Sequence, residues 1–188
     1  MSNKTIALDI DGPIAASDIA WLSNLESMTG IKLGAQPTDY NLAKYFKEEL
    51  AYEGLDGFEF WKSEDPYRNV KPVEGSVRAC EKLSKAGYRL LPVTKIYTEH
   101  GCSKRKWLNK YFPMLDSPIY ISIDGYKSDV SCSVIIDDRL DNFKGFTKPT
   151  RGVLFNTPYR NTLTDGIDIG WDVCDNWEQI IELLLGDK

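Results

Sequence analysis

The sequence predicts an α/β fold, a Rossmann-like three-layer sandwich with a parallel sheet of about five strands and a mainly helical cap inserted after the first strand. Two observations predict the sheet. Short apolar runs recur without polar alternation, as strands covered on both faces require, and three of them end in polar residues. These are Thr5–Leu8 before Asp9-Ile10-Asp11-Gly12, Tyr88–Val93 before Thr94, and Ser133–Ile136 before Asp137. Helical patterns alternate with the runs, and that alternation gives parallel strands joined by right-handed crossovers. A third observation predicts the cap: the stretch from Ile14 to Lys71 is longer than one crossover helix needs.

Each element follows in order. After the first strand, Ile19, Leu22, Leu25 and Met28 give one helical face that Thr29-Gly30 breaks. An aromatic-rich stretch follows, carrying Tyr40, Tyr45, Phe46, Tyr52, Phe58, Phe60, Trp61 and Tyr67. We expect most of these rings to form the insertion's own small core and two or three to face a pocket. Residues 16–71 then make the cap, and residues 1–15 with 72–188 the core. Pro72-Val73-Glu74-Gly75 opens a helix with Val77, Cys80, Leu83 and Ala86 at helical spacing, and Gly87 stops it. Another helix is expected over about Glu99–Phe112, with Trp107, Leu108, Tyr111 and Phe112 inward and Pro113 ending it. Pro118–Ser122 and Gly152–Phe155 supply the remaining strands, and a last helix starts near Asn176 with Trp177, Ile180, Ile181 and Leu184 inward.

Composition narrows the function. The 188 residues fit one domain, or one core with a sizeable insertion. With 42% apolar, 27% charged and 12% aromatic residues, the chain can build a packed core. The net charge of −5 opposes binding a long nucleic-acid polymer but leaves a single nucleotide open. No stretch approaches the ~18 apolar residues of a membrane span, and the start of the chain lacks a signal-peptide core. We therefore expect a cytoplasmic protein without a membrane partner; a homodimer is compatible with the sequence. Cys80, Cys102, Cys132 and Cys174 form no CxxC pair, and His100 is the lone histidine. Reduced, mostly buried thiols and a structural His100 are expected rather than zinc or disulfides.

The chemistry concentrates at strand ends. Asp9 and Asp11 follow the first strand, and Gly12 allows a tight turn in which backbone N–H groups approach an anion. Two carboxylates this close repel, and an oxygen-preferring divalent cation such as Mg2+ relieves that repulsion. Asp137-Asp138 can complete its oxygen ligands. A carboxylate beside such a cation can attack phosphorus, and a second can move the protons. A transferred phosphoryl group also needs cations and donors, for which Thr94 and Lys127 are placed.

These residues resemble the four ordered motifs of the haloacid dehalogenase-like phosphohydrolases: Asp9-Ile10-Asp11-Gly12, strand-ending Thr94, Lys127, and Ile135-Ile136-Asp137-Asp138. More narrowly, the Lys104–Phe112 segment, the Lys127 to Asp137 spacing, Asp137-Asp138-Arg139 and the Trp171…Trp177 segment resemble the 5′(3′)-deoxyribonucleotidase family. The resemblance implies Asp9 as nucleophile, Asp11 as general acid/base and metal ligand through its backbone carbonyl, and Gly12, Thr94 and Lys127 around the phosphate. It implies Asp138 as a direct Mg2+ ligand, with Asp137 in the first or second ring. The chain departs from the family at Lys95, where a small hydroxyl residue is usual; Lys95 either adds a cation near the phosphate or lies in an exposed loop. Arg139 would hold the acidic loop through ion pairs.

The resulting expectation is a Mg2+-dependent phosphomonoesterase acting on (deoxy)nucleoside monophosphates, with Phe58, Phe60 and Trp61 stacking the base. Two other classes stay open: a phosphatase of another small phosphomonoester such as a sugar phosphate, and a non-catalytic nucleotide-binding regulator. The regulator would be expected to lack a motif acid, and this chain keeps all of them.

Overall fold

A computed structural model describes residues 4–35, 37–96, 100–146, 150–157 and 170–186. In chain order these form β1 (Thr5–Leu8), α1 (Ser17–Thr29), a 3-10 turn (Leu42–Phe46), α2 (Lys47–Tyr52) and α3 (Glu59–Lys62). Then come α4 (Ser76–Lys85), β2 (Arg89–Lys95), α5 (Gly101–Tyr111), β3 (Ile119–Ile121), β4 (Val134–Asp137), β5 (Arg151–Phe155), β6 (Asp172–Cys174) and α6 (Trp177–Leu185). Further 3-10 turns span Lys127–Asp129 and Leu140–Phe143.

The sheet is parallel throughout, in the order β3-β2-β1-β4-β5-β6. It contains a sixth strand beyond the five read from the sequence. β6 is only three residues long, with Asp172 and Val173 partly open, so no apolar run announced it. β2 runs on through Thr94 and Lys95, two residues past the expected end. Alternate strand residues feed two cores. Ile6, Leu8, Ile136 and Val153 pack with Cys80, Leu83, Trp107, Trp177 and Ile180 of the helices. Ala7, Leu91, Ile135 and Leu154 face the other way, where Phe143 of the last 3-10 turn and Trp171 cover them.

The chain moves away from β1 in one direction to make β2 and β3, then crosses to β4 on the other side of β1. The carboxyl ends of β1 and β4 therefore flank a topological switch point, where open α/β sheets bind ligands. Leu8 lies opposite Ile136, so the next residues, Asp9 and Asp137, emerge side by side.

Residues after β1 leave and return together: Ala16 N–H donates to the Lys71 carbonyl at 2.9 Å and Val73 N–H to that of Ile14 at 2.8 Å. Between these points a separate apolar cluster gathers Trp21, Leu25, Leu42, Phe46 and Leu50, with Phe58, Phe60 and Trp61 against it. The α1 face differs from the expected one. Trp21 and Leu25 are buried, whereas Ile19 is 67% exposed, because the helix is phased by Trp21, whose indole N–H donates to the Gly57 carbonyl at 2.8 Å. Gly57 has φ +79°, and a β-carbon there would stand 2.5 Å from that of Ala43, so glycine is required. All four cysteines are free; Cys80 and Cys174 are buried, but Cys102 is exposed.

Candidate active site

β1 delivers Asp9 to the centre of the site, where the Ile10 N–H donates to its Oδ1 at 2.8 Å. The Lys127 ammonium, at the start of a 3-10 turn and fully enclosed, lies 2.8 Å from the same oxygen and 2.6 Å from Asp137 Oδ2. Asp137 also accepts from the Arg139 N–H and from the Asn142 amide, both at 2.9 Å, so its carboxylate is surrounded by protein donors. Burial, with Asp137 and Asp11 nearby, pushes the Asp9 carboxyl up to about 6 despite the Lys127 charge. Burial alone would lower the Lys127 value, but Asp137 and Asp9 outweigh it and hold the ammonium above its ordinary value.

Asp9, Asp137 and Asp138 present carboxylate oxygens within 4.8 Å of one another, all buried. Three buried hard oxygen donors, two of which also pair with Lys127, suit a divalent cation such as Mg2+. Gly12 keeps this arrangement open: its φ is +96°, and a β-carbon there would stand 2.7 Å from the Asp138 carboxyl carbon. Asp11 takes a different direction. Its Oδ2 accepts from Lys104 Nζ at 2.7 Å, and its Oδ1 accepts from the Tyr67 hydroxyl. Burial would raise the Asp11 carboxyl, but Lys104 and Tyr67 together hold it below the usual carboxylate value. Lys104 Nζ reaches Thr94 Oγ1 as well, at 2.9 Å, and so connects the end of β2 to Asp11.

The structure thus brings Asp9, Lys127, Asp137 and Asp138 together, with Gly12 against Asp138 and with Asp11 and Thr94 on the Lys104 side. Lys95 follows Thr94 at the β2 terminus and is half-buried. Arg139 makes only a distant approach to Asp141, 4.0 Å, and lays its guanidinium over the Tyr40 ring of the cap at 4.4 Å. His100 is buried, with Nδ1 2.9 Å from the Trp61 carbonyl. Of the three candidate base-stacking residues, Phe58 and Trp61 pack on Trp21, with ring centroids 5.3 and 5.7 Å away. Phe60 lines a cleft of about 1950 Å³ that runs from Gly12 between α1 and the returning chain toward Asn156.

Lys104, Tyr67 and Asn142 belong to the site but were not singled out from the sequence. A signal existed for Lys104, which stands three and four residues before Trp107 and Leu108 and so falls on the apolar face of α5. Tyr67 was hidden in the aromatic stretch, and Asn142 lies in a turn without regular spacing.

A parallel sheet with a switch-point cluster of carboxylates, a buried lysine and an insertion after the first strand defines a haloacid dehalogenase-like hydrolase. Solved structures of that class agree in fold. A haloacid dehalogenase-like hydrolase from Streptococcus pneumoniae superposes with a TM-score of 0.63 at 15% identity, covering 98% of this chain and 100% of that one. D,D-heptose 1,7-bisphosphate phosphatase from B. bronchiseptica, complexed with magnesium and phosphate, gives 0.58 at 18% identity, covering 98% and 99%. A hydrolase of the same superfamily from Ehrlichia chaffeensis gives 0.59 at 10% identity, covering 99% and 98%. No curated protein sequence matches the chain. The family model described as 5′ nucleotidase, deoxy (pyrimidine), cytosolic type C matches residues 3–188, and the chain belongs to that family of nucleotidases. Among the described residues no helix is long and apolar enough to cross a membrane.

Proposed function

We propose that the protein hydrolyses (deoxy)nucleoside monophosphates, with Mg2+ as cofactor, through an aspartyl-phosphate on Asp9. The observation that carries this reading is the place of the Asp9 carboxylate, at the switch point of the sheet and 2.8 Å from the Lys127 ammonium. An Asp9 oxygen attacks phosphorus, the new Asp9 oxygen–phosphorus bond of an acyl phosphate forms, and the bond to the leaving oxygen breaks as the Asp11 carboxyl protonates it. Water then attacks the same phosphorus, Asp11 takes its proton, and Asp9 is released. Lys127, the Thr94 hydroxyl, Gly12 and Lys95 hold the phosphoryl oxygens; fixed donors at the position of developing charge lower the barrier because they need no reorganisation. Mg2+ would be held by Asp9, Asp138 and the Asp11 backbone carbonyl, with Asp137 occupied by its own donors in the second ring, and would neutralise the charge that gathers there.

Phe60, backed by Phe58 and Trp61, supplies the surface against which the base stacks. The substrate is a small molecule; no nucleic-acid polymer or membrane is involved. Phosphate release from deoxynucleoside 5′- and 3′-monophosphates, ribonucleotides and sugar phosphates tests the reading, with Asp9→Asn as the control. Nucleotides should be preferred and Asp9→Asn should be inactive. Faster release from sugar phosphates would replace the substrate class, and nucleotide binding without release by the wild-type protein would make it a regulator.

A further inference from the structure

One face of α5 fastens the segment by which the chain returns from the cap. His100 contacts the Trp61 carbonyl, Ser103 donates to Asp65 and accepts from the Tyr67 N–H at 3.1 Å, and the Trp107 indole donates to the Val70 carbonyl at 2.9 Å. The same face carries Lys104. Tyr67 is therefore fixed at its backbone by Ser103 and at its ring by Trp107, 5.8 Å between centroids, and it is only 2% exposed. Its hydroxyl donates to the Asp11 carboxylate, whose other oxygen accepts from Lys104.

We propose that Tyr67 is a positioning residue for hydrolysis: its hydroxyl, brought in by the returning segment, sets the direction of the Asp11 carboxyl toward the leaving oxygen. The inference rests on the assignment of Asp9 and Asp11 given above. A carboxylate that moves protons must keep one lone pair aimed at the substrate while its rotation about the Cβ–Cγ bond is restrained. Lys104 holds one oxygen and the Ser17 side chain is a further partner, but only the Tyr67 hydroxyl ties the other oxygen to the returning segment, and that second anchor narrows the rotation. Ser103 and Trp107 make the second donor depend on the seating of the returning segment, so the geometry of the acid is tied to the cap.

Tyr67→Phe keeps the buried ring and removes only the hydroxyl. The test compares kcat/KM, which covers the steps through departure of the leaving group, on a nucleoside monophosphate and on p-nitrophenyl phosphate, whose leaving group departs without a proton. Tyr67→Phe should lose about ten-fold on the nucleotide, on the order of one hydrogen bond to a charged group, and less than two-fold on p-nitrophenyl phosphate. The ratio within one variant is independent of the fraction folded, so loss of stability does not obscure it. Equal loss on both substrates, no loss, or a gain overturns the assignment. An active Asp9→Asn variant would instead overturn the underlying reading, and the two failures are distinct.

Discussion

Lys127 holds Asp9 and Asp137 with one buried ammonium, and its removal leaves two enclosed carboxylates facing each other. Breaking such a pair by deleting one partner costs about 3–5 kcal/mol. In the proposed function the same charge would act on the phosphate in the ground state and in the transition state alike, so both kinetic constants should suffer. Lys127→Ala is expected to raise KM and lower kcat, with kcat/KM down on the order of a hundred-fold or more, and to lower Tm. Steady-state kinetics beside a thermal melt measure this, and unchanged constants would return Lys127 to a purely structural place. Asp9, Asp11, Thr94 and Asp137-Asp138 were legible in the sequence because each lies at or near the end of an apolar run, and parallel strands carry such ends to one edge; Lys127 was legible from its spacing, ten positions before Asp137 in a loop. Lys104 and Tyr67 were not. Their role arises from the phase of α5 against the returning segment, a tertiary relation that no local pattern in either segment records.

Elements differ in how far local pattern decides them. α4 was readable because its apolar positions and Gly87 agree, and α6 because Asn176 caps it, accepting from the Gln179 N–H at 3.0 Å. α1 was readable as a helix, but its buried face was not, since Trp21 and its bond to Gly57 reach across the cap. β6 was missed because its pairing with β5, rather than apolar content, makes it a strand. The cap aromatics present the same problem. Trp61 stands edge-on to Phe60 at 4.8 Å and near Trp21, within the cap cluster, while Phe60 also reaches the cleft. Phe60→Ala is expected to cut kcat/KM on nucleotides about ten-fold, the ~1–3 kcal/mol of a lost base–aromatic stack, and to affect p-nitrophenyl phosphate little. Trp61→Ala should lower Tm and reduce both substrates together. If instead the selective loss belongs to Trp61 and not to Phe60, the base lies on the other side of the cap cluster.

Across the whole molecule the three-carboxylate cluster is a source of instability that a cation should relieve. Burial, outweighing the Lys127 charge, pushes the Asp9 carboxyl up to about 6 in the folded protein against 3.8 as its ordinary value, so the folded state holds that proton more tightly than the unfolded state does. Folding stability therefore falls as pH rises from about 4 to about 6, and above that the full penalty of an ionised, buried Asp9 is present unless a cation offsets it. Mg2+ at this cluster would compete with the same proton and would bind only the folded chain. At a concentration 100 times its Kd it would add ~2.7 kcal/mol, a rise of about 5–10 °C in Tm for a chain of this size. A thermal melt with and without Mg2+ should show that rise at pH 7.5 and a much smaller one at pH 5, and EDTA should reverse it and stop turnover. Asp138→Asn should lose the rise at both pH values while keeping the fold, because it withdraws a ligand and leaves the Lys127 ion pairs with Asp9 and Asp137 in place. A shift that is indifferent to pH and survives in Asp138→Asn would place the cation elsewhere on this acidic protein.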